Sequence, residues 1–112
     1  MKPKRVILIF DVDYHVPSLR VVLDSRGYRT VSATSVEQLE AALKHGGIDA
    51  VLVGYAMEQL LNHLFIAMPQ ITVPTAVRGE TEDMSSVLEK LRIALVRKRG
   101  PKPAAEKERR TA

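Results

Sequence analysis

The chain has 112 residues, room for one ordinary domain of the ~100–150-residue kind. With 46% hydrophobic and 27% charged residues it fits neither a disordered nor a fibrous protein, and the lack of cysteine excludes a disulfide framework, a thiol nucleophile and a Cys-based zinc site. Apolar runs such as Val6 to Phe10 fall far short of the ~18 residues a membrane span needs. Lys2, Lys4 and Arg5 precede that run, but it ends at Asp11 without a small-residue cleavage site. No signal peptide and no membrane partner are expected, and a cytoplasmic location is the default.

The net charge of +4 is unevenly spread. Residues 97–112 carry seven basic side chains (Arg97, Lys98, Arg99, Lys102, Lys107, Arg109, Arg110) against Glu106 and Glu108, a net of +5, which leaves residues 1–96 at −1. Gly100, Pro101 and Pro103 interrupt any helix there, and nothing apolar larger than alanine follows Val96. The division expected is a folded α/β domain over 1–99 and a basic disordered tail over 100–112. Such a tail either binds nucleic acid or solubilises a terminus; without aromatics among its charges the second reading is favoured.

Strand and helix signals alternate along the folded part. Val6-Ile7-Leu8-Ile9-Phe10 is a continuous apolar run, the mark of a strand buried on both faces. Pro17 suits the first turn of a helix whose apolar face is Leu19, Val22 and Leu23 and whose stop is Gly27. Arg29 to Ala33 reads as a second strand. Ser35-Val36-Glu37-Gln38 matches a capping box, in which Ser35 and Gln38 satisfy each other's free backbone donors, and the helix runs on through Leu39, Ala42 and Leu43 to Gly46-Gly47. Ile48 to Val53 is a third strand ending at Gly54. This alternation implies parallel strands joined by right-handed crossovers, a doubly wound sheet.

The next segment is ambiguous. Met57 to Met68 fits a helix, yet Leu64 to Ala67 also fits a short strand. Ile71 to Val77 reads as a strand that Pro74 confines to an edge. Met84, Val87, Leu88, Leu91 and Leu95 form one stripe of a last helix. That helix ends in Arg97-Lys98-Arg99, where its dipole favours positive charge.

Taken together, Val6–Phe10 with Asp11, Gly27-Tyr28-Arg29-Thr30-Val31 and Asp49-Ala50-Val51-Leu52-Val53 resemble the receiver domain of two-component response regulators. The first 54 residues follow that family's pattern without a gap, and Tyr55 and Met57 resemble what commonly comes after its third strand. The resemblance implies a flavodoxin-like, doubly wound parallel sheet of four or five strands. Only 23 residues separate Gly54 from Arg78, so one βα unit is expected to be lost or compressed.

The departures from the family decide the functional expectation. The gapless register puts Gly54 where the family has its phospho-accepting aspartate, and glycine has no carboxylate to phosphorylate. The family's paired Mg²⁺-binding acids are reduced to Asp11, with Phe10 beside it; Asp13 is the other candidate, although an acid at a helix start is the plainer reading. Arg78 resembles the lysine that contacts the phosphoryl group, and it is positioned to pair with Asp11 in place of a metal. Asp11, Asp13, Gly54 and Arg78 should all lie beyond the strand C-termini, where open α/β sheets bind ligands. His15, His45 and His63 sit in separate segments with no carboxylate at metal-ligand spacing, no serine has a nucleophile-elbow context, and Gly46-Gly47 precedes a strand and so is no phosphate loop.

The expected function is therefore that of a degenerate receiver: a bacterial, non-enzymatic protein-interaction module of phosphorelay signalling, independent of phosphorylation. Mg²⁺ binding is expected to be weak or lost. Expected partners are a histidine kinase, another regulator or a second copy, through the edge strand 71–77 or the last helix. The alternatives are a small nucleic-acid-associated protein acting through Arg97–Arg110, and an enzyme or ordinary phosphoacceptor using Asp11 or Asp13.

Overall fold

In the computed structural model, residues 4–99 are described, the last three of them as backbone only. The expected tail at 100–112, with Lys102, Lys107, Arg109 and Arg110, lies outside the described residues, as do the side chains of Arg97, Lys98 and Arg99.

Strand β1 spans Val6–Phe10, β2 Arg29–Ala33, β3 Ala50–Gly54 and β4 Thr75–Arg78. Helices α1 (Val16–Ser25), α2 (Val36–His45) and α3 (Glu58–Ala67) connect them, and α4 (Met84–Arg99) closes the chain. Short 3-10 turns at Asp13–His15 and Tyr55–Met57 lead into α1 and α3. The four strands form one sheet in the order β2-β1-β3-β4, and every pairing is parallel. Among the described residues this is the flavodoxin-like 2-1-3-4-5 order without a fifth strand.

The apolar run of β1 is explained by burial on both faces. Ile7 and Ile9 point into a core with Val16, Leu19 and Leu23 of α1 and with Val87, Leu91 and Leu95 of α4. Leu8 and Phe10 point the other way, against Leu39 and Leu43 of α2 and Leu61 and Leu64 of α3. Alternate side chains of one strand thus serve two cores. The stripe expected on the last helix is the buried one, with Met84 and Leu88 packed against its rim.

The structure revises the reading in four places. Residues 58–67 are helical, so the strand reading of Leu64 to Ala67 falls: Leu61 and Leu64 share one helical face toward the core. The strand expected over 71–77 is only Thr75–Arg78, preceded by a loop. Pro74 lacks the N–H of a ladder residue, but its carbonyl accepts Val51 N–H at 2.9 Å. The third strand starts at Ala50 and not at Ile48; just before it Asp49 brackets Val6, its N–H donating to Val6 C=O and its carboxylate accepting Val6 N–H, each at 2.8 Å. At α2, Ser35 Oγ accepts Gln38 N–H as expected, but Gln38 Oε1 reaches one residue further back, to Thr34 N–H at 2.8 Å.

Beyond β4, the Glu82 carboxylate accepts Gly79 N–H at 2.9 Å and the Lys90 ammonium at 2.8 Å, while Lys90 donates to Val77 C=O at 3.1 Å. Asp83 caps α4, accepting Ser86 N–H at 2.9 Å. No helix among the described residues is long and apolar enough to cross a membrane.

Candidate functional site

The site lies at the C-terminal ends of β1, β3 and β4. Asp11 follows β1, Gly54 ends β3, and Arg78 ends β4 opposite Gly54 in the ladder. Parallel strands align these ends, so three residues far apart in sequence become neighbours. Asp11 is 1% exposed and Arg78 8%, the two polar residues buried among the described ones.

Their burial is compensated by each other. Arg78 Nε donates to Asp11 Oδ2 at 2.9 Å and Nη2 lies 2.8 Å from the same oxygen. The second carboxylate oxygen, Oδ1, accepts Val12 N–H at 2.7 Å. Charge-assisted bonds of this kind make a buried carboxylate tolerable. The guanidinium is held further by Gly79 C=O at 3.4 Å, and its carbon lies 5.8 Å from the centroid of the Tyr55 ring. The pairing of Arg78 with Asp11 anticipated from the sequence is thus formed.

Gly54 is the floor of this arrangement. A Cβ added to it would overlap all three atoms of the Asp11 carboxylate group. Its backbone is ordinary extended chain, with φ −72° and ψ 148°. Glycine is needed here for space and not for backbone freedom. The carboxylate of Asp11 lies where a side chain at position 54 would begin.

His15 completes the cluster and was not legible as part of it. Its Nδ1 lies 2.7 Å from Arg78 Nη2 and 3.3 Å from Asp11 Oδ1. One ring nitrogen cannot accept from the guanidinium and donate to the carboxylate at once; the shorter contact favours Nδ1 as acceptor, with the proton on Nε2. The available signal was its place four residues after the strand-ending acid. The Tyr14 ring packs edge-on against it, with centroids 4.4 Å apart.

Asp13 does not join. It is exposed in the first turn of the 3-10 segment, where an acid suits a helix start. Among the described residues no three His, Cys, Asp or Glu side chains gather as a metal site would require. Arg78 ends the chain's last strand, but that strand stands beside β3, in the fourth place of the sheet; the guanidinium reaches Asp11 from that place.

No protein-family model and no curated protein matches the sequence. Among solved structures, the chain is similar to the crystal structure of a response regulator from Thermotoga maritima, with a TM-score of 0.56 and 17% identity over 80% of this chain and 78% of that one. The likeness is one of architecture: a receiver-like α/β fold with four parallel strands.

Proposed function

We propose that the chain is a pseudo-receiver, a phosphorylation-independent protein-interaction module of two-component signalling. One observation carries this reading. The Arg78 guanidinium is bonded to Asp11 over a glycine that has room for nothing else. In a phosphoacceptor site that space holds a carboxylate facing a cation and a phosphoryl group. Here an internal cation already neutralises the one surviving acid, and the acceptor is absent.

The residues do not fit Mg²⁺. An octahedral oxygen site needs carboxylates free to face the ion. Asp11 Oδ2 is taken by two guanidinium nitrogens, Oδ1 by a backbone N–H, and Asp13 is turned to solvent. A divalent cation would have to displace a buried positive charge from the same carboxylate. No step of a phosphoryl transfer is therefore assigned to this chain, and in this reading it is not an enzyme. Its partners are proteins: a histidine kinase, another regulator or a second copy.

The test is an amide NMR titration of the full chain with Mg²⁺ and then beryllofluoride, a phosphoryl mimic. The amides of Asp11, Gly54 and Arg78 should stay in place. Saturable, Mg²⁺-dependent shifts at these positions would return the protein to the phosphoacceptors.

A further inference from the structure

The outer edge of β4 is one of the two edges of the sheet, β2 forming the other, and its hydrogen-bonding groups can be accounted for one by one. Val51 N–H donates to Pro74 C=O, so the groups of 74, 76 and 78 face β3, and those of 73, 75, 77 and 79 face outward. A neighbouring parallel strand would donate to Val77 C=O and accept Gly79 N–H through a single residue. Lys90 and Glu82 provide both bonds instead, and they pair with each other at 2.8 Å. This ion pair replaces one residue of the strand that the fold lacks.

The edge is not closed below that point. No described side chain bonds Thr75 N–H, Thr75 C=O or Val77 N–H; the Thr75 hydroxyl turns back to Val73 C=O at 3.3 Å. Beside these groups runs a groove of about 810 Å³ lined by Phe65 of α3, Ala94 of α4 and the segment from Ile71 to Thr75. Its described lining residues are uncharged. The chain runs from Gln59 to Val77 without a lysine, arginine, aspartate or glutamate. Solvent-facing edges ordinarily carry charge to prevent pairing. Ile66 and Ile93, each next in sequence to a groove residue, are 77% and 41% exposed.

We propose that this edge pairs with β4 of a second copy, antiparallel about a two-fold axis at Thr75. This deepens the reading above, on which it rests, by naming the interaction surface and its occupant. The self-complementarity is specific. With Thr75 opposite Thr75 of the other copy, each donates to the other. Val77 N–H then faces Val73 C=O of the second copy, and the reverse. These four bonds use the three open groups of each copy and the second lone pair of Val73 C=O, whose first is taken by the Thr75 hydroxyl, and the Glu82–Lys90 pair keeps Val77 C=O. The groove, whose described lining carries no charge, receives the equally uncharged Val73-Pro74-Thr75 strand. A two-fold, isologous contact is the commonest way for identical chains to close.

The chain has no cysteine, so a single Thr75→Cys substitution reads the register directly. Directly opposed residues of a hydrogen-bonded antiparallel pair lie about 5.5 Å apart at Cα, within disulfide reach. Oxidation should convert Thr75→Cys to a covalent dimer and leave Ser25→Cys, exposed at the end of α1, a monomer. Sedimentation of the unmodified full chain should show a concentration-dependent dimer. Thr75→Pro removes the outward donor without touching the β3 ladder and should weaken that dimer roughly tenfold to a hundredfold. Hydrogen exchange at Thr75 and Val77 in the unmodified chain, slowing as concentration rises, answers the question even where a variant does not fold. A chain monomeric at hundreds of micromolar, with these two amides exchanging freely, overturns the proposal, and so does a dimer that cross-links at neither copy's Thr75. A monomer silent to Mg²⁺ removes this inference and leaves the pseudo-receiver reading standing; a Mg²⁺ response removes that reading whatever the oligomeric state.

Discussion

Two carboxylate–cation pairs sit within a few residues of one another around β4, and they do opposite things. Asp11–Arg78 has side chains 1% and 10% exposed, whereas Glu82–Lys90 has 16% and 49%. The first is a sealed unit at the strand ends. Each partner is buried because the other is, and neither has water to fall back on. The second is a loose clasp on the sheet edge, where solvent competes for both groups. The same chemistry is thus structural in one place and replaceable in the other, and burial makes the difference. At the strand ends the carboxylate is therefore already engaged, while the lower half of the edge has backbone groups that no described side chain bonds.

Breaking the buried pair should have the largest effect. Asp11→Ala or Arg78→Ala leaves an unpaired buried charge and should cost roughly 3–5 kcal/mol in urea unfolding. Replacing both by leucine should cost well under the sum of the single changes, because no charge is then stranded. Undiminished stability in either alanine variant would show that the pair is not the seal inferred here. Next comes Gly54→Ala, whose Cβ must push the Asp11 carboxylate aside; overpacking of this kind costs roughly 1–3 kcal/mol. It should also shift the Arg78 Nε signal, and an unmoved signal would mean the overlap is relieved elsewhere.

The clasp should be worth far less. Lys90→Ala should lose about 0.2–1 kcal/mol, and that loss should shrink in high salt. A salt-independent loss above that range would make the edge pair a buried one in effect. The smallest effect is on pH. Glu82 is held below its ordinary pKa by the Lys90 hydrogen bond and then by Gly79 N–H; Asp83 is held below its own by Ser86 N–H and then by the Ser85 hydroxyl. A lowered folded-state value means the stabilisation is complete above the unfolded-state pKa near ~4 and is lost as pH falls through the folded value. Glu82→Gln should flatten part of that acid-side decline, and an unchanged profile would remove Glu82 from it.

How far the sequence reveals this depends on the residues concerned. Runs such as Val6–Phe10 and the stripe of Val87, Leu91 and Leu95 have one physical explanation, burial, and they landed where periodicity put them. The Asp11–Arg78 pairing was also readable, since parallel strands align their ends. The region from 59 to 77 was not, because a charge-free stretch gives helix and strand the same signal. His15 was missed because its one local mark is its place four residues after Asp11, and its nearer contact, Arg78, lies 63 residues away. The clearance over Gly54 is a property of where another residue's carboxylate settles, and no pattern in one sequence records that.

The tight fit of Asp11 over Gly54 also fixes an order of mutational steps. A carboxylate at position 54 would need the space that the Asp11 carboxylate occupies, and Asp11 is itself tied to Arg78. The acid at 11 would first have to be released, and releasing it strands the arginine. On the pseudo-receiver reading proposed above, gaining an acceptor at position 54 would cost stability before it supplied a site, which makes the present arrangement easy to keep.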